Sequence, residues 1–144
     1  MTMTARTAVL AVSGDASDLQ MFRNQFAGSN WQLRTCGSLA EGAANLMRTP
    51  TPVVLCGRRL PDGDWKDLLR LVNALDHPPA MIVTSRHMDE ALWAEALNLG
   101  AFDVLPLPEK KTNVFRILSS AWRHWNEAAH HAADPVHAAP ACAG

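Results

Sequence analysis

Five short apolar runs, separated by segments with helical periodicity, limit the possible folds of this chain most strongly. The runs lie at residues 7–12, 31–36, 53–56, 81–84 and 104–107. They recur at intervals of roughly 25 residues, the length of a strand followed by a helix. Strands joined by helical crossovers are parallel, and a parallel sheet is covered by helices on both faces. The pattern therefore predicts an α/β domain with a doubly wound, five-stranded parallel sheet.

The chain length of 144 residues suits a single domain of this kind. We predict that the domain spans residues 1–127 and that residues 128–144, which are rich in Ala, His and Pro, form a flexible tail. The first apolar run is too short for a signal peptide or a membrane span. The three cysteines form no paired motif and indicate a reducing compartment, so we expect a cytoplasmic protein.

The net charge of −1 gives no electrostatic reason to expect nucleic acid or an anionic membrane as a partner. The six histidines are not placed with a serine or cysteine in a base–nucleophile pattern. We therefore expect no enzymatic activity and no cofactor.

Helix starts are marked by local capping patterns. Ser17 is followed by Gln20, and Ser38 by Glu41, and both pairs predict capping boxes. The last helix is expected to begin after Pro108, since proline suits a first helical turn.

Three motifs in this order resemble bacterial response-regulator receiver domains. Residues 59–64, Arg-Leu-Pro-Asp-Gly-Asp, resemble the loop after the phosphoacceptor strand. Residues 82–85, Ile-Val-Thr-Ser, resemble a fourth strand that ends in a switch Thr or Ser, and residues 99–108 resemble the segment around the fifth strand. The resemblance covers residues 7 to about 126. It implies a flavodoxin-like sheet of order 2-1-3-4-5, with a crevice at the carboxyl ends of strands 1 and 3.

The resemblance also assigns positions in the crevice. Receivers carry a phosphoacceptor aspartate where this chain has Gly57. Thr84 alone keeps the type of residue that the family uses. The remaining positions hold Ser13 and Gly14 in place of the acid pair, Val104 in place of the switch aromatic, and Leu107 in place of the lysine.

Loss of the carboxylates together with the lysine predicts that phosphoryl chemistry is gone. In receivers the carboxylates hold Mg²⁺, a hard cation that prefers oxygen ligands, and the lysine balances phosphoryl charge. We therefore predict no catalytic residues and the loss of Mg²⁺ binding. Asp15 could give a weak residual metal site, but the simpler interpretation is that it caps the first helix. Asp62 and Asp64 are likewise interpreted as turn and cap residues.

An alternative function is binding of a small ligand, nucleotide or flavin. Residues 12–17 form a small polar loop before a helix, where a phosphate could bind. Against this, Asp15 and Asp18 place negative charge at that position, and no glycine-rich phosphate motif is present.

A third possibility is a protein-interaction module, and it is the one we favour. Trp93 lies off the apolar stripe of the fourth helix, where it is either an interface anchor or partly covers its own helix. The apolar arc of the last helix has margins that could exceed what the sheet covers. We predict a homodimer, or a complex with another signalling protein, through the face of helix 4, strand 5 and helix 5. Its interface residues would be Trp93, Leu97, Phe115 and Ile117.

Overall fold

The computed structural model describes residues 8–133, which form a five-stranded parallel sheet with helices on both faces. The spatial order is β2-β1-β3-β4-β5, and all four neighbouring pairs are parallel. This confirms the doubly wound sheet and its strand order. The strands are β1 (Ala8–Val12), β2 (Gln32–Cys36), β3 (Val53–Gly57), β4 (Ala80–Ser85) and β5 (Asp103–Pro106).

Five helices connect and cover these strands. A two-stranded antiparallel ribbon, Arg59–Leu60 with Gly63–Asp64, lies between β3 and the third helix. None of the helices within residues 8–133 is both long and apolar enough to cross a membrane. The helices are α1 (Ala16–Phe26), α2 (Leu39–Arg48), α3 (Trp65–Asn73), α4 (Glu90–Asn98) and α5 (Lys111–Ala133).

The last helix continues past the predicted domain boundary. Residue 127, the expected end of the domain, lies inside α5, which continues to Ala133. The rest of the predicted tail, residues 134–144, lies outside the described residues.

Alternate residues along the strands point to opposite faces and fill two cores. On one face Leu10 and Val54 pack with side chains of α2, α3 and α4. On the other face Val9 and Leu55 pack with side chains of α1 and α5. Because both faces are covered, the carboxyl edge of the sheet is where polar groups from several strands can meet.

The helix caps confirm one predicted N-cap, without the reciprocal bond of a full capping box, and correct another. The Glu41 N–H donates to Ser38 Oγ over 3.2 Å, so Ser38 is the N-cap of α2, as predicted. The predicted capping box at Ser17 is wrong. Asp15 is the N-cap of α1, because its carboxylate accepts hydrogen bonds from the Ser17 N–H at 2.8 Å and the Ser17 hydroxyl at 2.6 Å.

Candidate functional site

A polar cleft of about 370 Å³ lies at the carboxyl ends of β1, β3 and β4, where the sequence predicts the crevice. Strand pairing brings its parts together, since Val12 pairs with Cys56 and Gly57 with Thr84. The residues after these strand ends therefore share one edge of the sheet. The cleft is lined by hydroxyl, carboxylate and guanidinium groups.

Gly57 ends β3 in the floor of the cleft and offers no side chain there. A Cβ at this position would lie 3.3 Å from Ser13 Oγ. Ser13 and Thr84 are buried, with 5% and 2% of their surfaces exposed, and both line the cleft. Hydroxyl groups thus line the part of the cleft that contains Gly57, the position that the resemblance assigns to the acceptor.

The second acid-pair position is closed by packing. A Cβ at Gly14 would lie 3.0 Å from Cδ and 3.3 Å from Cγ of Pro61. Pro61 lies in the turn of the short ribbon. Its ring therefore occupies the space that the first side-chain atom of residue 14 would need.

Both carboxylates that line the cleft are engaged by protein donors. Asp15 caps α1, and hydrogen bonds from Ser17 lower the pKa of its carboxyl group. Asp18 is only 8% exposed and pairs with Arg86, whose Nε and Nη2 lie 2.7 and 2.5 Å from Asp18 Oδ1. Charge-assisted hydrogen bonds of this length are among the stronger polar contacts in proteins.

These residues do not fit the Mg²⁺ that the resemblance implies. Mg²⁺ needs several oxygen ligands in near-octahedral geometry. Asp15 is a helix cap, as the simpler interpretation predicts, and Asp18 is held by the Arg86 cation. Within residues 8–133, no three His, Cys, Asp or Glu side chains are grouped so that they could hold a metal ion.

Leu107 and Val104, which the resemblance assigns to the positions of the lysine and the switch aromatic, lie in the core. Leu107 is 5% exposed and belongs to the cluster under α1 and α5. Val104 is 2% exposed and belongs to the cluster on the other face of the sheet. Thr84 lies opposite Leu105 in the strand register, and Val104 lies opposite Val83.

Sequence reasoning missed three arginines that line the cleft. Arg58 and Arg59 follow Gly57, and Arg86 follows Ser85 at the end of β4. A signal was present, because each arginine lies within three residues of the end of a predicted strand, and the ends of neighbouring parallel strands meet.

Asp62 has a structural role in the same region. Its Oδ1 and Oδ2 accept hydrogen bonds from the backbone N–H groups of Leu39 at 2.7 Å and Ala40 at 3.0 Å. These bonds lower the pKa of the Asp62 carboxyl group. Asp62 therefore joins Ser38 in satisfying the first turn of α2, and Asp64 caps α3 in a capping box with Asp67. The turn-and-cap interpretation of both aspartates is confirmed.

The predicted interface residues have different environments. Trp93 and Leu97 are each 44% exposed on α4. Ile117 lies in the core with 9% exposure, so the expectation that it exceeds what the sheet covers is wrong.

Phe115 is also used within the domain. Its ring centroid lies 5.2 Å from that of Phe26 and 6.4 Å from that of Trp31. The sheet covers only part of the apolar arc of α5. The margin of this arc is covered by α1 and by the chain that follows α1.

Comparison with solved structures identifies the fold. The signal receiver domain of an HD domain-containing protein from Pseudomonas fluorescens Pf-5 matches with a TM-score of 0.80 and 20% identity, over 88% of this chain and 94% of that one. A CheY-like response regulator receiver domain protein from Methanospirillum hungatei JF-1 matches with a TM-score of 0.75 and 15% identity, over 85% and 98%. The beryllofluoride-activated NtrC4 receiver domain dimer matches with a TM-score of 0.76 and 18% identity, over 83% and 98%.

The sequence comparisons give no match. No protein-family model and no curated protein matches this chain. The fold therefore rests on the architecture, which covers more than four fifths of the chain in all three matches. The chain has the fold of response-regulator receiver domains.

Proposed function

We propose that this chain is a receiver-like module of two-component signalling that binds its partners without being phosphorylated. The observation that carries this proposal is Gly57 in the floor of the cleft, at the position of the family's acceptor aspartate. The proposal is supported by Gly14, where the Pro61 ring lies in the path of a side chain. We expect no enzymatic activity and a role in the bacterial cytoplasm.

A single fixed state is the second part of the proposal. The Arg86–Asp18 pair joins the connection between β4 and α4 to α1, and both residues line the cleft. Leu107 and Val104 lie in apolar cores, where they stabilise the fold. Because both side chains are uncharged and buried, a change of charge in the cleft would not move them. The affinity for a partner would then be set by concentration or by another ligand.

The partner we propose is a second copy of this chain, bound through α4. Trp93 and Leu97 are one turn apart, so they share a face, and Trp is a frequent anchor of interfaces. Trp93 borders a hollow of about 400 Å³ that it shares with Met88 and Ala94. The similar NtrC4 receiver domain is described as a dimer, which supports self-association of this fold.

Sedimentation velocity of the full chain over a range of concentrations tests this proposal. The wild type should form a dimer, and Trp93→Asp should remain a monomer at the same concentration. Met47→Asp is the matched control, because Met47 is also an exposed apolar side chain, 74% exposed, but lies on α2. It should dimerise like the wild type.

Acetyl phosphate with Mg²⁺ should change none of these distributions. A wild type that stays monomeric at the highest concentration would contradict the dimer. Dimerisation that appears only with acetyl phosphate would contradict the phosphorylation-independent mechanism.

A further inference from the structure

Three guanidinium groups line the cleft, in the region where receivers carry a group of carboxylates. Arg58 and Arg59 lie at the start of the segment after β3, and Arg86 lies after β4. The side chain of arginine stays charged at neutral pH, and its planar donors match the oxygens of phosphate or carboxylate. The cleft therefore has the chemistry of an anion site and lacks that of a Mg²⁺ site.

The cations are only partly balanced by carboxylates. Arg86 is paired with Asp18. Arg58 donates to the His87 carbonyl oxygen at 3.2 Å, and its distance of 3.7 Å from Asp89 makes a long ion pair. The side chain of Arg59 is exposed, and it makes no hydrogen bond or ion pair within the part of the chain that the structure describes. At least one full positive charge at the cleft is thus available to a ligand.

Three hydroxyl groups complete the donor set. Ser13 Oγ accepts the Asp15 N–H at 3.1 Å, and Ser85 Oγ accepts the His87 N–H at 3.0 Å. Thr84 also lines the cleft. Among the described residues, neither serine hydroxyl donates its hydrogen to a protein acceptor, so both can donate to a ligand oxygen.

The aspartates no longer argue against an anion in this cleft. Asp18 is neutralised by Arg86, and Asp15 is directed to the first turn of α1. Asp18 thus has a cationic partner and Asp15 is used by the Ser17 donors, while Arg58 and Arg59 also line the cleft.

We propose that this cleft reversibly binds a small phosphate monoester, with Arg58 and Arg59 as its cationic ligands and the serine and threonine hydroxyls as further donors. Its volume of about 370 Å³ exceeds the needs of a single ion and lies at the lower end of the range for small-molecule sites, roughly 300–1,000 Å³. This site goes beyond the proposed docking function and does not depend on it. Trp93 is not among the residues that line the cleft and borders a different hollow.

Isothermal titration calorimetry of the full chain with glycerol 3-phosphate tests the site. The phosphate compound replaces chloride in the buffer, so that the ionic strength stays constant. The wild type should show saturable binding of one equivalent. Arg59→Gln should bind roughly tenfold more weakly, because it loses a charge-assisted contact. The Arg59 side chain makes no hydrogen bond or ion pair with other described residues, so the variant should melt at the wild-type temperature.

Arg123→Gln is the matched control. It also removes one exposed guanidinium, but Arg123 lies on α5, where it donates to Ser120. It should bind glycerol 3-phosphate like the wild type. Inorganic phosphate forms the second arm of the experiment. If it binds more weakly than glycerol 3-phosphate, the organic group contributes part of the affinity. If the two bind equally well, the phosphate oxygens account for all of it.

Two results would overturn the site. One is the absence of saturable binding of either phosphate compound to the wild type. The other is equal weakening in Arg59→Gln and Arg123→Gln, which would reduce the interaction to the net charge of the chain.

Discussion

The guanidinium group of Arg86 donates a hydrogen bond from Nε to Asp18 Oδ1 at 2.7 Å, and its Nη2 lies 2.5 Å from the same oxygen in an ion pair. The two residues come from the segment after β4 and from α1, so the pair links two segments that line the cleft. Its partners differ in exposure, since the side chain of Asp18 is 11% exposed and that of Arg86 is 39% exposed. A cation therefore stands where the family resemblance implies a group of carboxylates around a metal.

Removal of Arg86 should cost more stability than removal of the Asp18 charge. Arg86→Gln leaves an almost buried carboxylate without its cation, and we expect a loss of about 2 kcal/mol, between the values for exposed and buried pairs. Asp18→Asn should cost less, because water can solvate the half-exposed guanidinium. Urea denaturation of both variants measures the difference.

Arg70→Gln is the control for that comparison. Arg70 pairs with Asp67 at 3.3 Å, but its side chain is 76% exposed, so its loss should cost less than about 1 kcal/mol. Equal effects of Arg86→Gln and Arg70→Gln would contradict the structural role of the Arg86–Asp18 pair.

Gly14 should not tolerate a side chain while Pro61 is present. Gly14→Ala places a Cβ 3.0 Å from Pro61 Cδ, and overpacking of this kind costs about 1–3 kcal/mol. Gly37→Ala is the control, because its Cβ would meet only Glu41 Oε1 at 3.6 Å, and neither glycine has a positive φ. Thermal denaturation of the double variant should show that Pro61→Ala recovers part of the stability lost in Gly14→Ala. If the effects of the two substitutions on stability simply add, the contact between residues 14 and 61 is contradicted.

Gly57→Asp should fold but should not become a working receiver. Its Cβ would lie 3.3 Å from Ser13 Oγ, a tight contact that a small movement of Ser13 relieves, so we expect a loss within about 2 kcal/mol. The acid-pair positions still hold Ser13 and Gly14, and Asp18 remains paired with Arg86. Phosphorylation of this variant by acetyl phosphate, followed by mass spectrometry, should therefore stay at background. Stoichiometric modification would show that the rest of the site is intact.

Asp62 should give the domain a stabilising contribution that depends on pH. Hydrogen bonds from the Ala40 and Leu39 N–H groups lower the pKa of its carboxyl group in the folded state. The contribution is therefore complete above the unfolded pKa of about 3.9 and is lost as the pH falls through the lower folded value. Asp62→Asn should lower the urea midpoint at pH 7, and the gap to the wild type should narrow toward pH 3.

Asp76→Asn is the control for the pH experiment. Asp76 is exposed and makes no hydrogen bond or ion pair with other described residues. Its midpoint should follow the wild type at both pH values. A gap for Asp62→Asn that is the same at pH 7 and pH 3 would contradict the role of the ionised carboxylate at the start of α2.

The strands and their order could be predicted because the signal is local and repeated. Each apolar run becomes one strand, and the position of Gly57 at the end of β3 follows from its own run. The start of α1 was harder, because Asp15 and Ser17 are both good cap residues and lie two positions apart. Only the backbone geometry decides that the Asp15 carboxylate faces the free N–H groups.

The contacts between loops could not be predicted from the sequence. Arg86 with Asp18, Pro61 over Gly14, and Asp62 on the first turn of α2 each join segments that are distant along the chain. No local pattern specifies these pairs, because they depend on how each connection folds back over the sheet edge. The same reason explains Phe115, whose coverage by Phe26 and Trp31 depends on where α1 and the chain after it lie.

The loss of phosphoryl chemistry is tested most directly by incubation of the wild-type chain with acetyl phosphate and Mg²⁺, followed by intact-mass analysis. A receiver domain with an acceptor aspartate serves as the positive control. We predict that this chain keeps its unmodified mass under conditions that phosphorylate the control. A stable adduct of one phosphoryl group, mapped to an aspartate such as Asp15 or Asp62, would contradict the account.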